Sequence, residues 1–121
     1  MLIIQIHALP PPEAERADMC LSAAIDGVAS AVQCSTSDVW AQFLPVSAMH
    51  IGNRPARFNG HCPVVVVRAM HECPPARIRA ALTALAGGVA AALDLPVDDI
   101  WIQWDQVQPG TVFAAGAIQE S

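Results

Sequence analysis

The sequence predicts a single α+β domain of two fused strand–helix–strand repeats, with four strands in one mixed sheet and two helices on one face. Three observations lead there. The run Val64-Val65-Val66-Val67 is followed by a helical pattern from Pro74 to Leu93 and then by Ile100-Trp101-Ile102-Gln103-Trp104. Sliding the chain by 61 residues lays Leu2–Ser47 on Pro63–Gln108 without a gap, and twelve of those 46 positions are identical. Among them are Asp38/Asp99, Trp40/Trp101 and Gln42/Gln103, which an alanine-rich composition does not explain. Finally, Val64 to Val67 are apolar on both faces of a strand, and Ile100 to Trp104 nearly so, so the face away from the helices needs a cover. No third layer remains in the chain, and a second copy of the protein is the simplest cover.

Leu2 to Leu9 reads as a strand, with Leu2, Ile4 and Ile6 on one face and Ile3, Gln5 and His7 on the other. Pro10-Pro11-Pro12 stops it. Glu13 and Glu15 then suit the first turn of a helix, whose apolar stripe is Ala17, Leu21, Ala24, Val28 and Val32. Ser35 to Asp38 is a turn, Val39 to Leu44 a second strand, and Gly52 to Gly60 a polar connection. In the second repeat Pro74 and Pro75 sit where a helix start tolerates proline. Ile78, Leu82, Leu85, Val89 and Leu93 form its buried stripe, and Pro96 blocks continuation. Gln108 to Thr111 turns the chain into Val112, Phe113 and a tail of small residues. The strands within each unit are parallel, joined by a right-handed crossover. The boundaries follow: repeat one at 2–52, a linker at 53–62 and repeat two at 63–116, within one domain of 1–121.

Composition narrows the function. The chain has 121 residues, 54% hydrophobic and 14% charged, which supports a packed core and argues against disorder. A net charge of −5 argues against nucleic acid and anionic membrane as partners. All six basic residues are arginine, so a lysine Schiff base is excluded. No run is expected to reach the length of a membrane span, and the apolar start has no basic leader. Cys20, Cys34, Cys62 and Cys73 show no compact framework, which fits free thiols and a cytoplasmic location.

Gln5-Ile6-His7, the segment from Leu95 to Ile102, the Pro-Gly-Thr-Val-Phe113 hairpin and the internal duplication together resemble the tautomerase superfamily. That group includes 4-oxalocrotonate tautomerase and macrophage migration inhibitory factor, and the likeness spans nearly the whole chain. It implies a homotrimer, no metal and no organic cofactor. It also implies keto–enol tautomerase or isomerase chemistry on a small unsaturated or 2-oxo carboxylic acid, run by an N-terminal proline amine with basic side chains gripping the carboxylate. This chain departs from that pattern. The proline position falls on Leu2, behind a Met1 that the bulk of Leu2 should preserve, and again on the internal Pro63, whose nitrogen is an amide. The family's two arginines map to Pro12 and Cys73 and to Trp40 and Trp101; its hairpin phenylalanine maps to Phe113. The resemblance therefore implies either weak or altered activity or a non-catalytic binding or structural trimer.

The candidate base is the Met1 α-amine, an amine of reference pKa ~8 that Leu2 and Ile4 would desolvate; an ordinary solvated terminus is the commoner case. Leu2, Arg54, Arg57, Arg68, Trp101 and Phe113 are the candidate substrate-binding residues, with Arg77 a further cation. Arg68, flanked by valines, needs a partner for its charge: an interface ion pair or a bound anion. Pro63 reads as a strand-start proline. His61, Cys62, His71 and Cys73 look like metal ligands as letters, but strand residues at ~3.3 Å each hold the two pairs apart. Cys73 stands near a helix N-terminus, and the matching Trp40 and Trp101 read as packing residues.

Overall fold

A computed structural model describes residues 1–10, 13–55 and 61–120. Four strands form the main sheet: β1 (Leu2–Ala8), β2 (Val39–Pro45), β5 (Val64–Ala69) and β6 (Trp101–Gln106). Two helices, α1 (Ala14–Val32) and α2 (Pro75–Leu93), make the crossovers. Two small ribbons complete it: β3 (His50–Ile51) with β4 (Arg54–Pro55), and β7 (Phe113–Ala114) with β8 (Ala117–Ile118). The sheet order is β2-β1-β5-β6. β1/β2 and β5/β6 are parallel, and β1/β5 is antiparallel at the centre, so the sheet is mixed as the sequence predicts.

The 61-residue register holds in three dimensions. α1 and α2 begin and end at matching positions, as do the 3-10 turns Thr36–Asp38 and Val97–Asp99. Each helix stops the same way. Gln33 (φ 61°) and Asp94 (φ 55°) turn into the left-handed region, and the next amide closes back: Cys34 N–H to Ala29 O (3.0 Å), Leu95 N–H to Ala90 O (2.9 Å). These bonds satisfy carbonyls that the helix end would orphan. The strand ends match too, Val46 N–H donating to Ala8 O at 2.8 Å and Val107 N–H to Ala69 O at 2.9 Å.

Alternation buries Leu2, Ile4, Ile6 and Ala8 of β1 and Val65, Val67 and Ala69 of β5. Both helices lie against that face, contributing Cys20, Ala24, Val28, Val32, Ala81, Leu85, Val89 and Leu93 to one core. The predicted α2 stripe is buried at Leu85, Val89 and Leu93. On α1, Cys20 is fully buried while Ala17 and Leu21 stay partly exposed, a shift of the stripe by one position at its start. The helices run antiparallel and cross closely. A Cβ added at Gly27 would lie 3.3 Å from Ala84 Cβ, and one at Gly88 would lie 3.3 Å from Ala23 Cβ. The two contacts exchange under the 61-residue shift, so the crossing sits on the pseudo-two-fold axis.

Two expectations need correction. The stretch after Gly52 begins not as an open connection but as a ribbon, β3 turning through Gly52 (φ 61°) into β4. And α2, at 19 residues, is long and apolar enough by length and composition to cross a bilayer, contrary to the expectation that no run would be. Its hydropathy comes from alanines and from the stripe that packs into the core.

The opposite face of the sheet is open. Its rows are Leu44–His7–Val64–Trp101, Gln42–Gln5–Val66–Gln103 and Trp40–Ile3–Arg68–Asp105, read from β2 to β6. Trp40 and Trp101 are 58% and 53% exposed there. A polar chain crosses between the apolar patches. Arg68 donates to Gln5 Oε1, Gln5 Nε2 donates to Gln42 Oε1 at 3.1 Å, and Arg68 Nε lies 3.9 Å from Asp105 Oδ2. Of the two explanations for the Arg68 charge, the structure displays an ion pair, within one chain.

Candidate functional site

The duplication produces a cleft at the start of each central strand, and the two differ in chemistry. The first, of about 340 Å³, lies where β1 begins, between the C-terminal end of α1 and the N-terminal end of α2. Met1 and Leu2 line it from the strand, Cys34 and Asp38 from the chain after α1, and Glu72, Cys73 and Arg77 from the approach to α2. The antiparallel helix crossing brings these segments together. A side-chain bond holds them: Arg77 Nη2 donates to Gln33 Oε1 at 2.8 Å. Burial pushes the Cys34 thiol up, Asp38 and Cys73 add to the rise, and the charged Met1 amine opposes it. Amine, carboxylate and both thiols thus share one electrostatic environment.

The second cleft, of about 470 Å³, surrounds Pro63 at the start of β5. Cys62, Val64, Asp98, Asp99 and Trp101 line it, and Met49, His50 and Ile51 fold against it from the β3 ribbon. Pro63 is fully buried, and its carbonyl accepts from Trp101 N–H at 3.2 Å, a strand-start role. Cys62 before it has φ 45°, where the first repeat has the chain's beginning. Burial and then Asp99 push the Cys62 thiol up. No lysine or arginine lines this cleft among the described residues.

The predicted site residues therefore fall in several places. Met1 and Leu2 share the amino-terminal cleft, Leu2 buried and pointing to the core. Trp101 stands at the Pro63 cleft and on the open face. Arg68 lies on the open face, tied to Gln5 and Asp105. Phe113, 69% exposed, sits on the β7 ribbon and lines neither cleft. Arg54 starts β4, and Arg57 lies outside the described residues. The cation that lines the same cleft as Met1 is Arg77, the further cation among the sequence candidates. Asp38, Glu72, Cys34 and Cys73 join it. The signal for these was available only in part: the duplication predicts two helices of matching length, but not that the end of one meets the start of the other.

Within the cleft, the Met1 amine in its neutral form can take a proton, and the Arg77 guanidinium can hold a carboxylate by charge-assisted hydrogen bonds. Asp38 and Glu72 bring two carboxylates to the same cleft. The volume falls in the range that small-molecule sites occupy.

No protein-family model and no curated protein matches the sequence. Solved structures do match. A fused 4-OT wild-type symmetric trimer is similar at a TM-score of 0.86 and 15% identity, covering 98% of this chain and 95% of that one. Pt0534 inactivated by 2-oxo-3-pentynoate gives 0.83 at 17%, covering 98% and 95%. Macrophage migration inhibitory factor of Toxoplasma gondii gives 0.76 at 16%, covering 96% and 98%. At these identities the likeness is one of fold, and it extends over nearly the whole of each chain.

Proposed function

We propose, from a chain that carries the tautomerase fold, a tautomerase-superfamily protein that works as a homotrimer and isomerises a small unsaturated or 2-oxo carboxylic acid. The observation that carries the reading is the pairing of Met1 and Arg77 in one cleft. Arg77 would grip the substrate carboxylate. The neutral Met1 amine would take the proton from an enol oxygen and return it to the neighbouring carbon as the carbonyl forms. The expected turnover is weak, because the N-terminal proline amine that the resemblance implies is absent from this chain. The reading takes Met1 as the amino terminus of the working protein, which intact mass checks.

The trimer is supported by the open face. Two half-exposed tryptophans, with Ile3, Val64 and Val66 between them, make an apolar surface of the kind that a second copy covers. The similar fused 4-OT trimer supports the same assembly. Sedimentation at micromolar concentration should give one species of three chains, and a monomer would refute it.

One observation favours a second reading, a non-catalytic binding or structural trimer. Tryptophans stand at both strand positions where the resemblance places an arginine, and two carboxylates, Asp38 and Glu72, share the cleft with Met1 and Arg77. The deciding experiment is enol-to-keto conversion of an aryl enolpyruvate followed by ultraviolet absorbance. Slow turnover is expected, lost on acetylation of the α-amine, with KM raised roughly tenfold in Arg77→Gln, the size of a charge-assisted hydrogen bond. Turnover that survives acetylation would remove Met1 as the base. No turnover would leave the fold standing and favour the binding reading.

A further inference from the structure

We propose that Cys34 and Cys73 form a dithiol modification site in the amino-terminal cleft, closing to an intramolecular disulfide on contact with a small-molecule disulfide. The two side chains line one cavity and both pack, half-buried, against the edge of the same core. The chain segments that carry them are already joined: Gln33, next to Cys34, accepts from Arg77, one turn beyond Cys73. The raised Cys34 thiol, with Cys73 among its causes, agrees with that proximity.

Symmetry shows that the pair belongs to this cleft. Under the 61-residue shift Cys34 corresponds to Leu95, which packs against the core, so the fold accepts an apolar residue there and does not require the Cys34 thiol. The remaining cysteines are placed differently. Cys20 is sealed in the core, and Cys62 is buried at the other cleft.

The chemistry is two exchanges. Burial and Asp38 disfavour the Cys34 thiolate, so Cys73 is the attacking group. Its thiolate displaces one thiol from the small disulfide and leaves a mixed disulfide on Cys73. The Cys34 thiolate then attacks the Cys73 sulfur and releases the second thiol. The protein loses two electrons and two protons; the small disulfide gains both and becomes two thiols. The new bond would tie the end of α1 to the start of α2 across the cleft mouth. It requires no particular reaction at Met1, so the site stands or falls separately from the proposed isomerase activity.

The test uses the full chain, first reduced and then incubated with oxidised glutathione. The folded protein is expected to lose two hydrogens in intact mass and to show two free thiols on denaturation instead of four. Peptide mapping should then join Cys34 to Cys73. Cys34→Ser should stop at a glutathione adduct on Cys73. Wild-type protein that keeps four thiols, retains bound glutathione on Cys73 or links a different pair would overturn the proposal. A circular-dichroism melt of each variant separates a folding defect from lost exchange. Should Cys34→Ser unfold, Cys34→Leu, the residue found in the other repeat, replaces it.

Discussion

Alkaline pH offers a direct reading of the core, because this chain contains neither lysine nor tyrosine. Between pH 9 and 11 its titrating side chains are the cysteines. Cys20 is fully buried on α1, and burial pushes its thiol from 9.0 up to about 11. The folded state holds the proton more tightly than the unfolded chain. The stabilisation is therefore complete below pH 9 and is lost as pH rises through the folded value. Taking 9.0 unfolded and about 11 folded, the loss reaches about 1.4 kcal/mol at pH 10 and about 2.3 kcal/mol at pH 11. Cys34 and Cys62 are also raised, and they add to the slope of any variant that retains them. Comparison of wild type with Cys20→Ala cancels their part. Urea unfolding followed by tryptophan fluorescence, in reductant and at fixed protein concentration, gives the two curves. The substitution adds a constant offset for lost packing. On top of it, the advantage of wild type over Cys20→Ala should shrink by the amounts above. Parallel curves from pH 8 to 11 would show that Cys20 ionises as readily folded as unfolded, and the burial argument would fail.

The helix pair makes a second comparison. Gly87 has open space where a Cβ would go, so Gly87→Ala should stabilise by roughly 0.5–1 kcal/mol in a thermal or urea melt. Gly88 faces Ala23 at the crossing, and Gly88→Val should destabilise instead, since the added methyls meet the other helix. Leu85→Ala, at a fully buried site, should cost about 2–5 kcal/mol by urea unfolding. Arg68 and Asp105 are 44% and 52% exposed, so a double-mutant cycle with Arg68→Met and Asp105→Asn should show coupling under about 1 kcal/mol within a single chain.

The parts of this fold that were legible in the sequence were those with a period or a repeat. Val64 to Val67 and the stripe Leu85, Val89, Leu93 announced β5 and α2, and the shift of 61 residues carried the same elements back onto the first half. What was not legible depends on backbone conformations that these residues do not advertise. The β7/β8 ribbon turns through Ala115 (φ 52°) and Gly116 (φ 79°), a pair of left-handed residues of which only one is glycine. The β3/β4 ribbon ends on a proline, which argues against a strand in any sequence reading. The candidate site was harder still. Cys34, Asp38, Cys73 and Arg77 come together only because two helices cross antiparallel at Gly27 and Gly88, and nothing local to any of the four residues reports that crossing.

The duplication also shows how the two clefts of one chain come to differ. The backbone symmetry survives at the helix ends and strand ends and breaks where the central strands start. Met70 N–H donates to Met1 O at 3.1 Å, whereas the matching Leu9 N–H reaches past Cys62 to His61 O at 2.8 Å. The slip falls beside the positive φ of Cys62, the residue that precedes Pro63. A covalent linker is what makes one cleft unlike the other. It turns the Pro63 nitrogen into a buried amide, without a basic lone pair, so the second repeat presents no amine there. If Met1 is the working base, an amine-directed reagent that abolishes turnover should do so at one equivalent per chain, since no lysine competes for it. Loss of turnover needing two equivalents, or occurring with the α-amine unmodified, would place the chemistry somewhere other than the amino-terminal cleft.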